Sequence, residues 1–131
     1  MKNFKKLIIM VLSMTLLSIT ACSSKSSGKK FETITAKEAK KLMDDQDNYV
    51  ILDVREESEY EEGHVPNAVL LPLGTIDKKA SDKLTDKDQL ILVYCRSGNR
   101  SNQAAKKLVK LGYTNVKDFG GIIDWPYEIE K

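Results

Sequence analysis

Apolar residues in this chain gather into short blocks, each followed by a longer polar stretch. YVILDV (49–54) is a nearly continuous apolar run of the kind buried on both faces of a parallel sheet. LILVY (90–94), bracketed by Asp88 and a polar loop, has the same character. Two further strands are predicted over 68–71, ended by Pro72, and over 115–119. Between them the periodicity changes. Thr35 followed by Glu38 is a capping-box pattern, and it opens AKEAKKLMDD (36–45), whose Ala39, Leu42 and Met43 share one helical face. Ala104, Leu108 and Leu111 repeat at helical spacing across 101–111, and Gly112 stands just past the end, where glycine stops a helix. Residues 73–89 predict one or two short helices with turns, REESEYEEGHVPN (55–67) reads as a polar connection, and Gly120–Gly121 reads as a turn. A short closing helical segment is expected over 122–129, containing Trp125 and Pro126.

Strand and helix thus alternate, which predicts an α/β fold with a mainly parallel central sheet flanked by helices. Its ligands belong at the carboxyl ends of the strands. A chain of 131 residues can bury one real core and is too short for two. The sequence contains no internal repeat.

The N-terminal region follows a different rule. Lys2, Lys5 and Lys6 precede the apolar run LIIMVLSMTLLSIT, and Ile19, Thr20 and Ala21 lead into Cys22. This is the layout of a targeting segment, and it resembles the signal peptide and lipobox of bacterial lipoproteins. The resemblance implies that residues 1–21 are removed and that Cys22 becomes the first mature residue and carries lipid. It also implies that the product is held at the extracytoplasmic face of the cell membrane. An uncleaved membrane helix is the competing reading, but the apolar stretch from Leu7 to Ala21 falls short of the roughly 20 residues a span needs. SSKSSGKK (23–30) has nothing to bury and reads, with Cys22, as a flexible tether, so that the folded domain is 31–131.

Removing that segment changes the charge picture. The whole chain has 21 basic and 19 acidic residues, whereas the part after Ala21 has 18 and 19. The apparent basicity therefore belongs to the leading segment. In the remainder Lys and Arg are interleaved with Asp and Glu, which argues against a nucleic-acid partner.

With Cys22 lipidated, Cys95 has no cysteine left to pair with. An unpaired thiol outside the cytoplasm is exposed to oxidation, which points to a chemical role. Its position agrees. A cysteine at the end of a buried strand, before a short polar loop and a helix, stands where parallel α/β folds hold nucleophiles. The loop must curl back over the thiol, and Gly98 permits that turn. N–H groups of such a nest and the positive end of the following helix favour a thiolate or another anion at their centre, while Arg96 and Arg100 add positive charge at the rim. An inert buried cysteine with arginines on the nearby surface is the plainer alternative. Gly98, the two arginines and the helix start together weigh against it.

CRSGNR (95–100) resembles the six-residue active-site loop of rhodanese-like sulfurtransferases. LDVREESEYEEGHVPNAVLLP (52–72) is similar to that family's Asp-x-Arg and Gly-His-Ile-Pro-Gly-Ala stretch, and FGGIIDW (119–125) to its closing Gly-Gly and Trp. The three blocks fall in family order. The resemblance implies that Cys95 takes the outer sulfur of a donor such as thiosulfate as a persulfide. Arg96, Ser97, Gly98, Asn99 and Arg100 would form the substrate-binding loop, and a thiol, protein or cyanide acceptor would remove the sulfur. It implies no metal or organic cofactor, in keeping with His64 being the only histidine. Asp53 and Arg55 would support the site by orienting the loop or pairing with Glu59, or would only tie down their own segment. His64 reads as a structural residue of its turn and Trp125 as core or lid packing. Asn67 stands where the family commonly has Gly and tolerates the left-handed backbone such a position needs.

Two other functions compete. Cysteine-dependent phosphatases and arsenate reductases also use a Cys…Arg loop, but with five intervening residues; here only four, Arg96 to Asn99, separate Cys95 from Arg100, so the cradle suits one sulfur atom better than a phosphate. A noncatalytic persulfide carrier or protein-binding module of the same fold is the nearer alternative.

Overall fold

The computed structural model describes residues 30–131. The expectations for the leading segment and for Cys22 lie outside them. The described residues form one five-stranded sheet in the order β1 (Glu32–Thr33), β5 (Val116–Gly121), β4 (Leu90–Cys95), β2 (Tyr49–Asp53), β3 (Val69–Leu70), with every pairing parallel. Helices α1 (Ala36–Asp45), α2 (Glu57–Glu62), α3 (Ile76–Lys83) and α4 (Asn99–Lys110) connect the strands.

β4 is buried at all six positions because apolar layers cover both faces of the sheet. One layer joins Leu52, Val54, Ile91, Val93 and Cys95 to Ala104, Ala105 and Leu108 of α4. The other joins Ile51, Leu92, Tyr94 and Phe119 to Ala39 of α1 and to Trp125. Trp125 is thus core packing. At the head of α1 the Thr35 hydroxyl accepts the Glu38 N–H and the Glu38 carboxylate accepts the Thr35 N–H, satisfying two donors that a helix start otherwise leaves free.

Several boundaries differ from the sequence reading, each for a physical reason. The polar stretch 55–67 contains α2, whose ESEYEE has no buried residue and so no apolar stripe to betray it. β1 is two residues long, too short for any periodicity. α4 begins at Asn99 instead of Ser101, with Gly98 as its N-cap at φ +108°. Gly120 and Gly121 complete β5 and do not leave it as a turn. The closing segment makes only a 3₁₀ turn at Ile122–Asp124 before Pro126 interrupts it. An antiparallel bridge between His64 and Glu130 then pins the tail. Asn67 adopts φ +66°, the left-handed conformation expected of it.

Candidate active site

Cys95 ends β4, and its side chain is 1% exposed, beneath the loop that follows. The Gly98 N–H reaches the sulfur at 3.0 Å, and the thiol lies 3.5 Å from the Ser101 hydroxyl, which in turn donates to Gly98 O at 3.0 Å. The left-handed angle at Gly98 aims that N–H back at the sulfur and starts α4 in the same step. Arg96, Ser97 and Asn99 of the loop are exposed.

The loop is held from behind by β5. A Cβ on Gly121 would lie 2.0 Å from Arg96 O, so only glycine allows the loop to rest on this strand. The pairing of β4 with β5 slips at the same place: Val93 faces Asp118 but Cys95 faces Gly121, an extra residue on β5 that bends the ladder beside the thiol. The Ile123 N–H then donates to Arg96 O.

Two arginine–carboxylate pairs flank this arrangement, and one corrects the sequence reading. Arg55 pairs with Asp53, Nη2 to Oδ2 at 2.7 Å, and also donates to Gly63 O. The Tyr94 hydroxyl donates to the same carboxylate at 2.7 Å and accepts the Val65 N–H. Burial works against the Arg55 charge, but Asp53 outweighs it and holds the guanidinium above its ordinary range; burial, with Asp53 beside it, pushes the Tyr94 phenol up. Asp53 and Arg55 therefore fasten the end of β2 to the turn at Gly63, and Glu59 is not their partner. Glu59 belongs to Arg100: two bonds of 2.7 and 2.8 Å join the guanidinium at the start of α4 to the carboxylate on α2. Glu59 also accepts the Glu56 N–H that heads its own helix. The Arg100 hydrogen bonds lead in holding Glu59 far below its usual range, at about 2. The rim cation inferred from sequence is thus already engaged, and Arg96 is the exposed one.

Residues 35–126 match the profile of the Rhodanese-like domain. The chain belongs to the rhodanese-like family. It is 34% identical over 108 residues to the putative sulfur carrier protein YrkF of Bacillus subtilis, covering 82% of this chain and 57% of that one. It is 36% identical over 73 residues to the thiosulfate sulfurtransferase PspE of Escherichia coli, covering 56% of this chain and 70% of that one. Among solved structures, a rhodanese with anions from E. coli is 32% identical, with a TM-score of 0.60, and covers 63% of this chain and 98% of its own. The chain spans little more than half the length of the Bacillus protein.

The rhodanese-like domain brings Cys95, the loop 96–100 and Glu59 into one neighbourhood. It keeps Asp53 and Arg55 one layer back, on the Tyr94 side of the sheet. His64 stacks on Tyr60 at 3.7 Å between ring centroids and shares its Nδ1 with Tyr60 O, a structural setting. A groove of about 730 Å³ between α1 and the C-terminal segment, floored by Met43, Ile51, Val65 and Trp125, opens on the face away from Cys95. The sequence reading overlooked two residues at the thiol. Ser101 was read only as a helix start. Gly121 carried a signal in its family motif without the reason for it.

Proposed function

We propose that this rhodanese-like domain is a sulfurtransferase that moves sulfane sulfur from a donor such as thiosulfate to a thiol, protein or cyanide acceptor. The observation that carries this reading is the Cys95 sulfur at the end of a buried parallel strand, with the Gly98 N–H at 3.0 Å and the start of α4 behind it. The Cys95 thiolate attacks the outer sulfur of thiosulfate, the S–S bond to the sulfonate breaks, and sulfite leaves with its electron pair. The terminal sulfur of the persulfide then faces the loop amides until a nucleophile removes it and regenerates the thiolate. The four-residue spacing between Cys95 and Arg100 leaves a cradle suited to one sulfur atom, which speaks against phosphate or arsenate chemistry.

A second reading, a persulfide carrier serving a partner protein, is supported by the name of the Bacillus relative. One experiment separates the two. The purified domain is incubated with thiosulfate, desalted and weighed by mass spectrometry, with Cys95→Ser as control. A gain of one sulfur atom, lost on adding cyanide with repeated turnover, supports the enzyme. Loading without turnover supports the carrier. A folded domain that never gains sulfur from several donors sinks both.

We further propose that Cys22 carries lipid and holds the domain at the outer face of the cell membrane. Stable attachment needs more than one acyl chain. Cys22→Ala should release the protein from membranes, and unchanged retention would favour the uncleaved-helix reading.

A further inference from the structure

Ser101 on α4 has no part in that scheme, yet among the described residues it is the one side chain within hydrogen-bond reach of the reacting sulfur. It is 0% exposed, and its hydroxyl oxygen lies 3.5 Å from Cys95 Sγ, 3.0 Å from Gly98 O and 3.3 Å from Gly120 O. The sulfur's other partner is the Gly98 N–H, a backbone donor fixed in direction. The hydroxyl is not fixed. It carries one hydrogen, turns about its C–O bond, and can accept as well as donate. While Cys95 is a thiol, the S–H donates to Ser101 Oγ and the hydroxyl donates to Gly98 O. A thiolate has nothing to donate, so the same oxygen at the same distance can turn its hydrogen to the sulfur. That turn strands no group, because Gly98 O keeps the Asn102 N–H at 3.2 Å.

The charged groups around Cys95 do not take this place. Arg100 on α4 is bound to Glu59 of α2, Arg96 in the loop is exposed, and Asp118 on β5 accepts the Gly120 N–H. None of them hydrogen-bonds the sulfur.

We propose that Ser101 is a catalytic residue whose hydroxyl follows the charge on Cys95 Sγ and so assists discharge of the persulfide. The inference rests on the reading of Cys95 as the nucleophile. In discharge, the acceptor's electron pair forms a bond to the outer sulfur, the S–S bond breaks, and Sγ leaves with the bonding pair as a thiolate. The outer sulfur passes across as a neutral atom, and no further oxidant or reductant is needed. As charge gathers on Sγ, the Ser101 hydrogen swings to it from Gly98 O and stays bonded to its own oxygen. A hydrogen bond to a charged atom is stronger than one to a carbonyl, and a better-stabilised thiolate leaves faster. In loading the same contact cuts both ways. More thiolate forms, but each is a weaker nucleophile.

The first test needs no sulfur donor, so it reads this inference even if sulfur loading fails. It is the pH dependence of iodoacetamide alkylation, followed on the Cys95 peptide of the full chain by mass spectrometry. In Ser101→Ala the half-rise should lie about one pH unit above that of the wild type, with a plateau at least as high, because a hydrogen bond to charged sulfur is lost while access is not. An unchanged half-rise in the folded variant overturns the proposal, as does a lower plateau without a shift, the mark of a displaced loop. Preloaded Ser101→Ala should also give up its sulfur to cyanide about threefold more slowly, with a smaller change in loading. Equal discharge rates in variant and wild type overturn it. Should Ser101→Ala not fold, the infrared S–H band of the wild type, assigned by its absence from Cys95→Ser, decides the matter: it should lie below the frequency of an unbonded thiol, and a band at the unbonded frequency removes Ser101 from the sulfur.

Discussion

Two arginine–carboxylate pairs of the same chemistry flank the candidate site and are built on opposite terms. Asp53 and Arg55 are two residues apart, with side chains 0% and 6% exposed, and a tyrosine hydroxyl and a backbone carbonyl complete their hydrogen bonds. Glu59 and Arg100 come from positions 41 residues apart, on α2 and α4, and remain 24% and 31% exposed. The first pair cannot lose a member without stranding a charge in the core. The second can, because water reaches both partners. A salt bridge beside a site therefore says little by its presence alone. Its burial decides whether it belongs to the fold or to the loop.

The largest expected effect is on the buried pair. Arg55→Ala leaves the Asp53 carboxylate without its cation, and urea denaturation should find a loss of about 3–5 kcal/mol. Replacing both members, Asp53→Asn with Arg55→Leu, should recover at least about 1 kcal/mol of that loss, since no charge is then stranded. A double variant no better than the single one would remove the burial argument.

A smaller change is expected at the open pair. Arg100→Ala should cost less than about 1 kcal/mol in the same denaturation experiment. It should slow persulfide loading from thiosulfate by about fivefold at low salt, since one charge near the dianion is worth about 1 kcal/mol in water. Stopped-flow loading and denaturation of one protein sample give both numbers. A stability loss equal to that of Arg55→Ala would erase the distinction between the pairs.

The smallest effect concerns pH. Arg100 holds Glu59 at about 2, below its ordinary 4.5, so the pair's contribution is full above about 4.5 and is lost as pH falls towards 2. Glu59→Gln should flatten that acid limb of the stability curve, by less than about 1 kcal/mol, and the difference should shrink in high salt. An acid limb identical in both proteins would mean that the pair adds nothing to folding.

What could be read from sequence followed the local physics. The capping box at Thr35, the apolar runs of β2 and β4, the left-handed Asn67 and the turn at Gly98 each need only neighbours in the chain, and each was legible. α2 was not, because Tyr60 alone among five polar positions sets no period. Neither was the Glu59–Arg100 pair. Glu59 was offered as one possible partner for Asp53 and Arg55, but the helix turns that carboxylate towards Arg100 on α4. The slip between β4 and β5 was hidden as well, because it goes with the close packing of Gly121 against the loop, which no local pattern encodes.

The all-parallel sheet gives the domain a direction. β1 pairs with β5 in register Glu32 to Lys117, and Lys117 in turn sits opposite Leu92, so the chain enters the fold near the start of β4 while Cys95 closes its far end. Three strand residues at roughly 3.3 Å each separate those two levels, about 10 Å. Whatever precedes Lys30 joins the domain at its base, and the thiol lies beneath its loop at the top. A domain tethered from that side carries its reactive end on the side away from the tether, where a soluble donor or a protein partner can reach it.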